Sequence, residues 1–329
     1  MSVAVVTGAA GHVGTNLVRA LLVRGQGVRA LVHHDRRALE GLEVGIVPGD
    51  VGDLDSLRRA FTGADVVYHA AGYISISTHE WRRLEAVNVF GTRNVVEACL
   101  QCGVRRLVHF SSVEALVDEP LNIPVDEARP LVESRRYPPY ARSKAAGERR
   151  VRQGLARGLE TVILYPSAII GPHDYRLGFP NAGLLAICSG KLPALAAGGF
   201  DWVDVRDVVA GALRAAARAP AGGRYLLSGH WASLRDLAGL AQGINGVHVP
   251  RFIVPMWLAR IGAPFVTTFS RLTGRHALYT GAALRALRFN PRISHARATR
   301  DLDYQPRPLK ETIVDTLQWF EENGLRRSE

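Results

Sequence analysis

A glycine-rich turn, "TGAAGHVG" at residues 7–14, constrains the fold more than any other stretch of this chain. Gly8, Gly11 and Gly14 are spaced three residues apart, directly after the apolar run "VAVVT" and at the start of a helical pattern. Glycine tolerates positive φ and carries no Cβ where a phosphate must approach the backbone. The helix would offer its free N–H groups and positive dipole end to a pyrophosphate. In this position the turn predicts a dinucleotide-binding unit.

Short apolar runs alternate with helical patterns along the first half of the chain. Such alternation is typical of a parallel sheet covered by helices on both faces. Beyond about residue 170 the pattern loosens, and irregular segments dominate residues 171–200. We therefore expect an α/β fold, with a Rossmann-type doubly wound parallel sheet and a smaller C-terminal substrate-binding lobe. The predicted strands lie at 3–7, 27–33, 44–50, 64–71, 105–112, 160–166 and 223–229, and the predicted helices at 12–25, 54–61, 80–102, 138–157, 233–244 and 309–324.

The same change of pattern predicts two lobes. Residues 1–168 would form a dinucleotide-binding domain, to which residues 201–229 return. Residues 169–200 and 230–329 would form the substrate-binding lobe. Proline and glycine are spread along the chain, so we expect no flexible linker between the lobes.

The charge balance bears on the choice of partner. The formal net charge is +11, which would suit an anionic partner. The arginines are scattered without a basic tail, so a bias toward arginine is the favoured explanation of the charge, and we expect no nucleic-acid partner. No apolar stretch reaches the ~18 residues that a membrane span requires, and no signal-peptide pattern precedes the first strand. These features predict a cytoplasmic protein without a membrane span.

Cysteine and histidine do not form a recognisable metal site in the sequence. The chain has three cysteines, which are too few for a disulfide scaffold: Cys99, Cys102 and Cys188. The first two form a CxxC pair, but no second pair completes a zinc site. His33, His34 and Asp35 are adjacent, and neighbouring residues of a strand point to opposite faces. We therefore expect no metal.

One of only three lysines lies in the stretch "YPPYARSK", four residues after a tyrosine. Tyr140 and Lys144 at this spacing share one face of a helix. A free phenol has a pKa near about 10, and a nearby ammonium favours phenolate and lowers that pKa. A tyrosine tuned in this way exchanges a proton with a carbonyl or alcohol oxygen. Together with the glycine turn, the pair predicts an active site.

Further motifs follow in a fixed order along the chain. They are "HAAG" (69–72), "VNVFGT" (87–92), "HFSSVEAL" (109–116) and "YPSAIIGP" (165–172), set among the glycine turn and the YxxxK pair. With them, the chain resembles the extended short-chain dehydrogenase/reductases of the NAD-dependent epimerase/dehydratase superfamily. It resembles most the dihydroflavonol reductase-like, 3β-hydroxysteroid dehydrogenase-like and hopanoid-associated sugar epimerase-like branches. The resemblance spans nearly the whole chain and is most specific in the first half.

The resemblance implies four catalytic residues. Tyr140 would handle the proton and Lys144 would tune Tyr140 and hold the ribose. Ser112 would hydrogen-bond the reacting oxygen; Ser111 is the alternative, but the second serine matches the pattern better. Asn88 would position a water that links Lys144 to solvent.

The resemblance also implies contacts with a dinucleotide cofactor. Asp50 would contact the adenine amine, residues 70–72 would line the adenine-ribose side, and Pro166 with the backbone near Ile169 would meet the nicotinamide. Together with Tyr140 and Lys144, the implied cofactor-binding residues are Gly8, Gly11, His12, Val13, Gly14, His33, Arg36, Arg37, Asp50, Val51, Ala70, Ala71, Gly72, Pro166 and Ile169.

The end of the second strand bears on the choice between NAD and NADP. A carboxylate there favours NAD, whereas a basic residue accepts the 2′-phosphate of NADP. Val32 occupies the usual acidic position, His33 occupies that of a phosphate-binding arginine, and Arg36 and Arg37 follow, with Asp35 between them. The sequence therefore favours NADP, with NAD as the alternative.

The substrate is the least specified part of the site. Residues 169–183 and 252–280 would form a lid that carries Phe252, Trp257, Phe265 and Phe269, although a helix that simply packs on the core is the alternative. An apolar lid would favour an apolar carbonyl or alcohol over a nucleotide-sugar, whereas His173 and Arg176 would suit a charged group. The implied substrate residues are Tyr73, Ser112, Glu114, Ser167 and His173.

The function predicted in this way is NAD(P)-dependent hydride transfer between nicotinamide and a carbonyl or secondary alcohol. A sugar epimerase is the enzymatic alternative; dehydration is disfavoured, because Glu114 lacks the Asp–Glu pairing of dehydratases. A non-catalytic dinucleotide sensor or nucleic-acid-binding relative is the alternative from another class. By resemblance, the helices at 80–102 and 138–157 would pair with a second copy in a homodimer.

Overall fold

Seven parallel strands form the central sheet of the computed structural model, which describes residues 3–77, 79–190, 192, 194–246, 250, 252–262 and 281–325. The strands of this sheet are β1 Val3–Thr7, β2 Gly27–Val32, β3 Gly45–Pro48, β4 Val66–His69, β5 Arg106–Phe110, β6 Glu160–Pro166 and β10 Gly223–Leu227. They lie in the order β3-β2-β1-β4-β5-β6-β10, and every pairing is parallel. The strand order reverses between β1 and β4, so the predicted doubly wound parallel sheet is confirmed.

Helices cover both faces of this sheet. Helices α1, α6 and α9 pack on one face, and α2, α3 and α4 pack on the other. Because both faces are covered, all five residues of β5 are buried, including Arg106 and His109. The helices are α1 His12–Val23, α2 Leu54–Phe61, α3 (Trp81–Leu84, a π-helical stretch Glu85–Gly91 and Thr92–Gln101), α4 Pro139–Ala156, α5 Phe179–Cys188, α6 Val205–Arg218, α7 Leu234–Asn245, α8 Gly281–Ala286, α9 Ala296–Leu302 and α10 Leu309–Glu322.

A third apolar cluster lies beyond the central sheet and joins α5, α7 and α10 to two small sheets. The remaining strands are β7 Ala168–Ile170, β8 Leu195–Ala196, β9 Gly199–Asp204, β11 His230–Ser233 and β12 Ile253–Val254, and residues 256–262 are helical. The prediction of an irregular segment at 171–200 is therefore wrong, because α5 and β8 form there. Within the described residues, no helix is both long and apolar enough to cross a membrane.

The crossing of α3 and α4 is unusually close. A Cβ placed on Gly147 of α4 would lie 2.1 Å from the backbone oxygen of Asn88, in the π-helical stretch of α3. The hydroxyl of Thr92 donates a hydrogen bond to that same oxygen over 2.8 Å. Glycine at position 147 therefore sets the distance between the two helices.

We predict that Gly147→Ala is destabilising, because the added methyl group collides with backbone rather than with a movable side chain. Overpacking of this kind costs about 1–3 kcal/mol of unfolding free energy, which denaturant titration measures. The matched control is Gly239→Ala in the exposed face of α7, where an added Cβ meets nothing within 4 Å. That control should be neutral or stabilising by up to about 1 kcal/mol. Equal effects of the two substitutions would contradict this account of the crossing.

Candidate active site

The candidate site lies at the carboxyl edge of the central sheet, where β1, β4, β5 and β6 end. The chain leaves β1 toward β2 and β3 on one side, and later enters β4 on the other side. Ligands of open α/β sheets bind in the crevice outside the strands at such a reversal. Each strand end contributes part of the site.

The glycine turn between β1 and α1 leaves no room for side chains. Gly8 has φ +68°, and a Cβ on it would lie 2.6 Å from the backbone nitrogen of Ala71 after β4. A Cβ on Gly14 would lie 2.1 Å from the Gly8 oxygen, and Gly11 donates its N–H to that oxygen over 2.9 Å. No side chain caps the start of α1. The turn therefore presents a bare backbone and an uncapped helix end, as a phosphate cradle requires.

Two side chains from the start of α1 point toward the segment that follows β7. His12 Nε2 lies 3.1 Å from the backbone oxygen of Pro172, and burial lowers the pKa of its imidazole, which stays neutral. Asn16 donates to the same oxygen over 3.0 Å. Val13 packs against the core on the α1 face of the sheet. These contacts tie the phosphate cradle to the segment that follows β7.

A histidine and a carboxylate lie in contact on the adenine side of the crevice. His33 Nε2 lies 3.1 Å from Asp50 Oδ2, and Asp50 Oδ1 accepts the Gly52 N–H over 2.5 Å. Val51 is buried, and its side chain would meet any Cβ on Gly91 at 2.7 Å. The structure thus brings Asp50 and His33 together at the ends of β2 and β3.

Arginines surround Asp35 in the segment that follows β2. Arg37 donates two side-chain hydrogen bonds to Asp35, over 3.0 and 2.8 Å, and Arg176 lies 3.7 Å from it. The hydrogen bond from Arg37 lowers the pKa of Asp35 to about 2. The exposed Arg36 has no carboxylate partner among the described residues. Its guanidinium is therefore available to an anion.

Tyr140 and Ser112 meet beside the crevice. Tyr140 lies in the first turn of α4, and Ser112 follows β5 and caps the 3₁₀ turn Val113–Ala115 through the Glu114 N–H, over 3.2 Å. Burial raises the pKa of the Tyr140 phenol, Glu114 raises it further, and a hydrogen bond with Ser112 opposes them. The lowered phenol pKa expected from Lys144 is therefore wrong, because burial dominates, and the phenol stays protonated at neutral pH.

Lys144 is the buried cation of the site. Its Nζ donates to the backbone oxygen of Phe110 at the end of β5, over 2.5 Å, and burial lowers the pKa of the ammonium to about 8. A Cβ on Gly72 would lie 3.8 Å from this Nζ and 3.5 Å from Asn88 Oδ1. Ala70 and Ala71 donate their N–H groups to Thr7 and close the β4 end against β1.

The side chain of Asn88 is fully engaged by protein groups. Its amide nitrogen donates to the backbone oxygen of Tyr73 and to Ser143 Oγ, both over 2.9 Å, and its side-chain oxygen accepts the Tyr73 N–H over 2.8 Å. Ser143 in turn donates to the backbone oxygen of Tyr140 over 2.7 Å. Asn88 therefore joins the segment after β4 to the helix that carries Tyr140 and Lys144.

The two serines after β5 point to different sides. Ser111 donates to Glu148 Oε2 over 2.9 Å, and Glu148 also accepts from Tyr165 and Arg152 in a buried network. Ser112 instead faces Tyr140. The geometry thus gives Ser111 a structural contact and leaves Ser112 toward the crevice.

Glu114 lies next to a second carboxyl that the sequence motifs do not single out. That second carboxyl is Asp118. Burial raises the pKa of Glu114 to about 7, the charge of Asp118 raises it further, and Arg285 opposes the rise. Arg285 belongs to α8 and lies 3.5 Å from Asp118 Oδ1. No sequence signal connects residue 285 to residue 114, because they are far apart along the chain.

The remaining substrate candidates are spread over the rim. Tyr73 donates to Glu80 over 2.9 Å beneath the Arg83 guanidinium, and Ser167 lies beside the buried Asp201. The ring of His173 packs 5.9 Å from that of Trp319, and no described contact joins it to Tyr140.

The apolar lid residues are only partly described. Phe252 is 75% exposed and Trp257 is 63% exposed, whereas Met256 and Ala259 of the same segment pack against the third apolar cluster. The described part of the segment therefore packs on the core through one face, as in the alternative prediction, and exposes two aromatic side chains. Phe265 and Phe269 lie outside the described residues.

A nicotinamide dinucleotide fits these residues. The bare glycine turn and the uncapped α1 suit a pyrophosphate, Asp50 and His33 border the adenine side, and Lys144 lies below Gly72 where a ribose would pass. Pro166 ends β6, and Ile169 of β7 packs against the core beside it. In the part of the chain that the structure describes, no group of three or more His, Cys, Asp or Glu side chains could hold a metal ion.

Known proteins resemble this chain over almost its whole length. Residues 4–228 match the model of the NAD-dependent epimerase/dehydratase family. The chain is 35% identical over 327 residues to sterol demethylase protein B of Methylococcus capsulatus, with 97% of this chain and 98% of that protein covered. It is 30% identical to 4-hydroxy-2-methyl-3-oxo-4-farnesyl-3,4-dihydroquinoline-1-oxide ketoreductase of Stigmatella aurantiaca, with 95% of each covered. The crystal structure of gox2253 superposes with a TM-score of 0.87 at 30% identity, over 99% of this chain and all of that one.

We predict that Gly8→Ala abolishes cofactor binding, because the new Cβ would collide with the backbone of Ala71 and push the phosphate cradle open. Titration with NADPH and NADH, followed by fluorescence, measures this loss. The control is Gly63→Ala, which has φ +71° but open space around its Cβ, so it carries the strain without the collision. The control should bind normally; a loss of binding in both variants would show that destabilisation alone is responsible.

Proposed function

The chain belongs to the NAD-dependent epimerase/dehydratase family and is an NAD(P)-dependent enzyme of the extended short-chain dehydrogenase/reductase type, and we propose that it transfers hydride between nicotinamide and a carbonyl or secondary alcohol. The observation that carries this proposal is the grouping of Ser112, Tyr140 and Lys144 beside the glycine turn. The bound cofactor would supply or accept the hydride, and the residues of this chain handle the oxygen and its proton.

Each of the three residues has a separate task. Ser112 donates a hydrogen bond that fixes the substrate oxygen next to the phenol. Because the pKa of Tyr140 is raised, the phenol is protonated at neutral pH and can give its proton to the oxygen as the carbonyl is reduced. The ammonium of Lys144 stabilises the phenolate that results and holds the ribose. The reverse sequence serves alcohol oxidation.

We propose an apolar carbonyl compound or alcohol as the substrate. Two observations support this choice. The names of two relatives refer to a sterol and to a farnesyl quinoline ketone, both large and mostly apolar. The exposed Phe252 and Trp257 offer apolar surface in the segment predicted to form the lid.

We propose NADP as the cofactor, with NAD as the alternative. The support is the charge pattern after β2: Asp35 is neutralised by Arg37, and Arg36 remains free for a 2′-phosphate. Chromatography of the nucleotide released on denaturation separates the two readings of function. Released NADP in a partly filled site fits an exchanging reductase, whereas stoichiometric NAD would favour the epimerase.

Cytoplasmic location, and a homodimer formed through α3 and α4, stay predictions.

We expect Tyr140→Phe to abolish turnover of carbonyl substrates while cofactor binding stays nearly unchanged, because only the proton donor is lost. The rate should fall by at least about 100-fold. Tyr68→Phe is the control. Tyr68 is a buried tyrosine of β4 whose side chain lies among residues at the amino edge of the sheet, away from the site at the carboxyl edge. Activity of the Tyr140 variant within about tenfold of wild type would contradict the assignment of Tyr140 as the proton donor.

We further expect Arg36→Ala to raise the KM for NADPH by about tenfold or more, with little change for NADH, because one charged hydrogen bond to the 2′-phosphate is lost. Steady-state kinetics with both cofactors provide the measurement. Arg59→Ala removes an equally exposed cation from α2 and controls for net charge. Equal changes of KM for both cofactors would argue for NAD.

A further inference from the structure

A small cavity, lined mostly by apolar surface but bordered by two carboxyl groups, lies beside the turn of α4 that carries Tyr140. It has a volume of about 20 Å³, enough for one water molecule. The segment after β5, the start of α4 and helix α8 enclose it. Its lining residues are Glu114, Asp118, Tyr137, Pro138, Ala141, Arg285, Ala286 and Phe289.

Asp118 gives this cavity an open hydrogen-bonding position. The residue is 6% exposed, and no described hydrogen bond reaches its buried Oδ1. The nearest cation is Arg285, whose guanidinium lies 3.5 Å away and also packs on the ring of Tyr137. A buried carboxylate oxygen without a hydrogen bond is costly unless water reaches it. The cavity therefore suits a water molecule bound to Asp118.

Glu114 lines this cavity together with Pro138 and Ala141, which flank Tyr140 in the chain, and its backbone N–H donates to Ser112 Oγ over 3.2 Å. It raises the pKa of the Tyr140 phenol, so its charge is felt at the catalytic oxygen. Its side chain makes no described hydrogen bond, in contrast to Glu148 of α4, which accepts hydrogen bonds from the side chains of Ser111, Tyr165 and Arg152. The titratable and charged groups near Glu114 are Asp118 on its own segment, the Tyr140 phenol on α4 and Arg285 on α8.

The polar side chains of Lys144 and Asn88, which belong to the same site as Tyr140, are already engaged in other hydrogen bonds. The Lys144 ammonium donates to the Phe110 oxygen, and the Asn88 amide is committed to Tyr73 and Ser143. After each reduction Tyr140 is left as a phenolate and needs a proton from solvent. Glu114 is the acid placed next to it that lacks another task.

We propose that Glu114 and Asp118, with one water in the cavity between them, form a proton relay that connects Tyr140 to solvent. This proposal rests on the proposed function. In reduction, the Tyr140 O–H bond breaks as its proton moves to the substrate oxygen. The phenolate then takes the proton of the Glu114 carboxyl, and the Glu114 carboxylate takes one from the cavity water as that water accepts a proton from the Asp118 carboxyl. Asp118 is reprotonated from solvent beside the partly exposed Arg285. Oxidation runs the same transfers backward, and no redox partner beyond the nicotinamide is required.

The relay gives a defined dependence on pH. In reduction Glu114 must be protonated, so turnover falls as the pH rises through about 7, the pKa of Glu114. In oxidation Glu114 must be ionised, so turnover rises through the same pH. Asp118, which also experiences Glu119 and Arg136, has a raised pKa from burial and keeps the two carboxyls coupled.

The test compares Glu114→Gln and Asp118→Asn with wild type in the reduction of a panel of 3-ketosteroids by NADPH across the neutral pH range. We expect kcat of Glu114→Gln to fall by about tenfold or more and no longer to decline as the pH rises through about 7, because an amide cannot pass on a proton. For Asp118→Asn we expect a smaller fall in kcat and a shift in the pH at which kcat declines. In Glu114→Ala, added formate should restore turnover, since a small acid fits the space and replaces the lost carboxyl.

The controls separate this relay from stability and from the proposed function. Glu133→Gln removes an exposed carboxyl that is paired with Arg149, and it should leave the pH profile unchanged. Thermal melting and NADPH binding identify any variant that fails to fold. Wild-type protein that reduces none of the ketones would count against the proposed function. Wild-type turnover, with unchanged pH profiles in both carboxyl variants and no rescue by formate, would overturn the relay alone.

Discussion

The contact between Asn88 and helix α4 is the interaction on which the geometry of the site depends. At this point the backbone of α3 meets Gly147 without an intervening side chain, and the Asn88 amide bonds to Ser143 one turn earlier. The π-helical stretch around Asn88 turns its oxygen toward α4. Since Tyr140 and Lys144 lie on the same helix, their distance from the end of β5 is fixed by this crossing rather than by their own contacts.

Burial then decides the chemistry of the groups placed there. Lys144 is buried and Tyr140 is partly buried, and the loss of surrounding water disfavours the charged form of each group. The carboxylate of Glu148 opposes the effect of burial on the pKa of the Lys144 ammonium, which keeps its charge at neutral pH, and the phenol remains neutral. The result is a proton donor next to a fixed cation, an arrangement suited to reduction of a carbonyl.

Much of this arrangement could be predicted from the sequence, for identifiable reasons. Strands buried on both faces read as apolar runs, so β1 and β6 have their predicted bounds, and α2 does as well. The face shared by Tyr140 and Lys144 follows from helical spacing alone. The burial of the phenol did not follow, because it depends on segments distant in sequence, and neither did the approach of Arg285 to Glu114.

Helix α5 was missed for a local reason. Its first residues, with Gly178 before it and Pro180 in its first turn, read as breakers in a sequence, yet proline is tolerated there because the first turn lacks internal N–H partners. Gly183 weakens the helical pattern further, although an added Cβ there would meet nothing within 4 Å.

The main-chain contact at Gly147 also bears on how such a site changes over evolutionary time. A spacing set by backbone against glycine does not depend on the size of any neighbouring side chain. Substitutions on the rim, at Tyr73 or along residues 252–262, can therefore accumulate without altering the distance from Tyr140 to β5. Sequence changes at the substrate-facing surface therefore leave the geometry of the reacting centre unchanged. A chain built in this way can acquire new substrate specificities while it retains one chemistry.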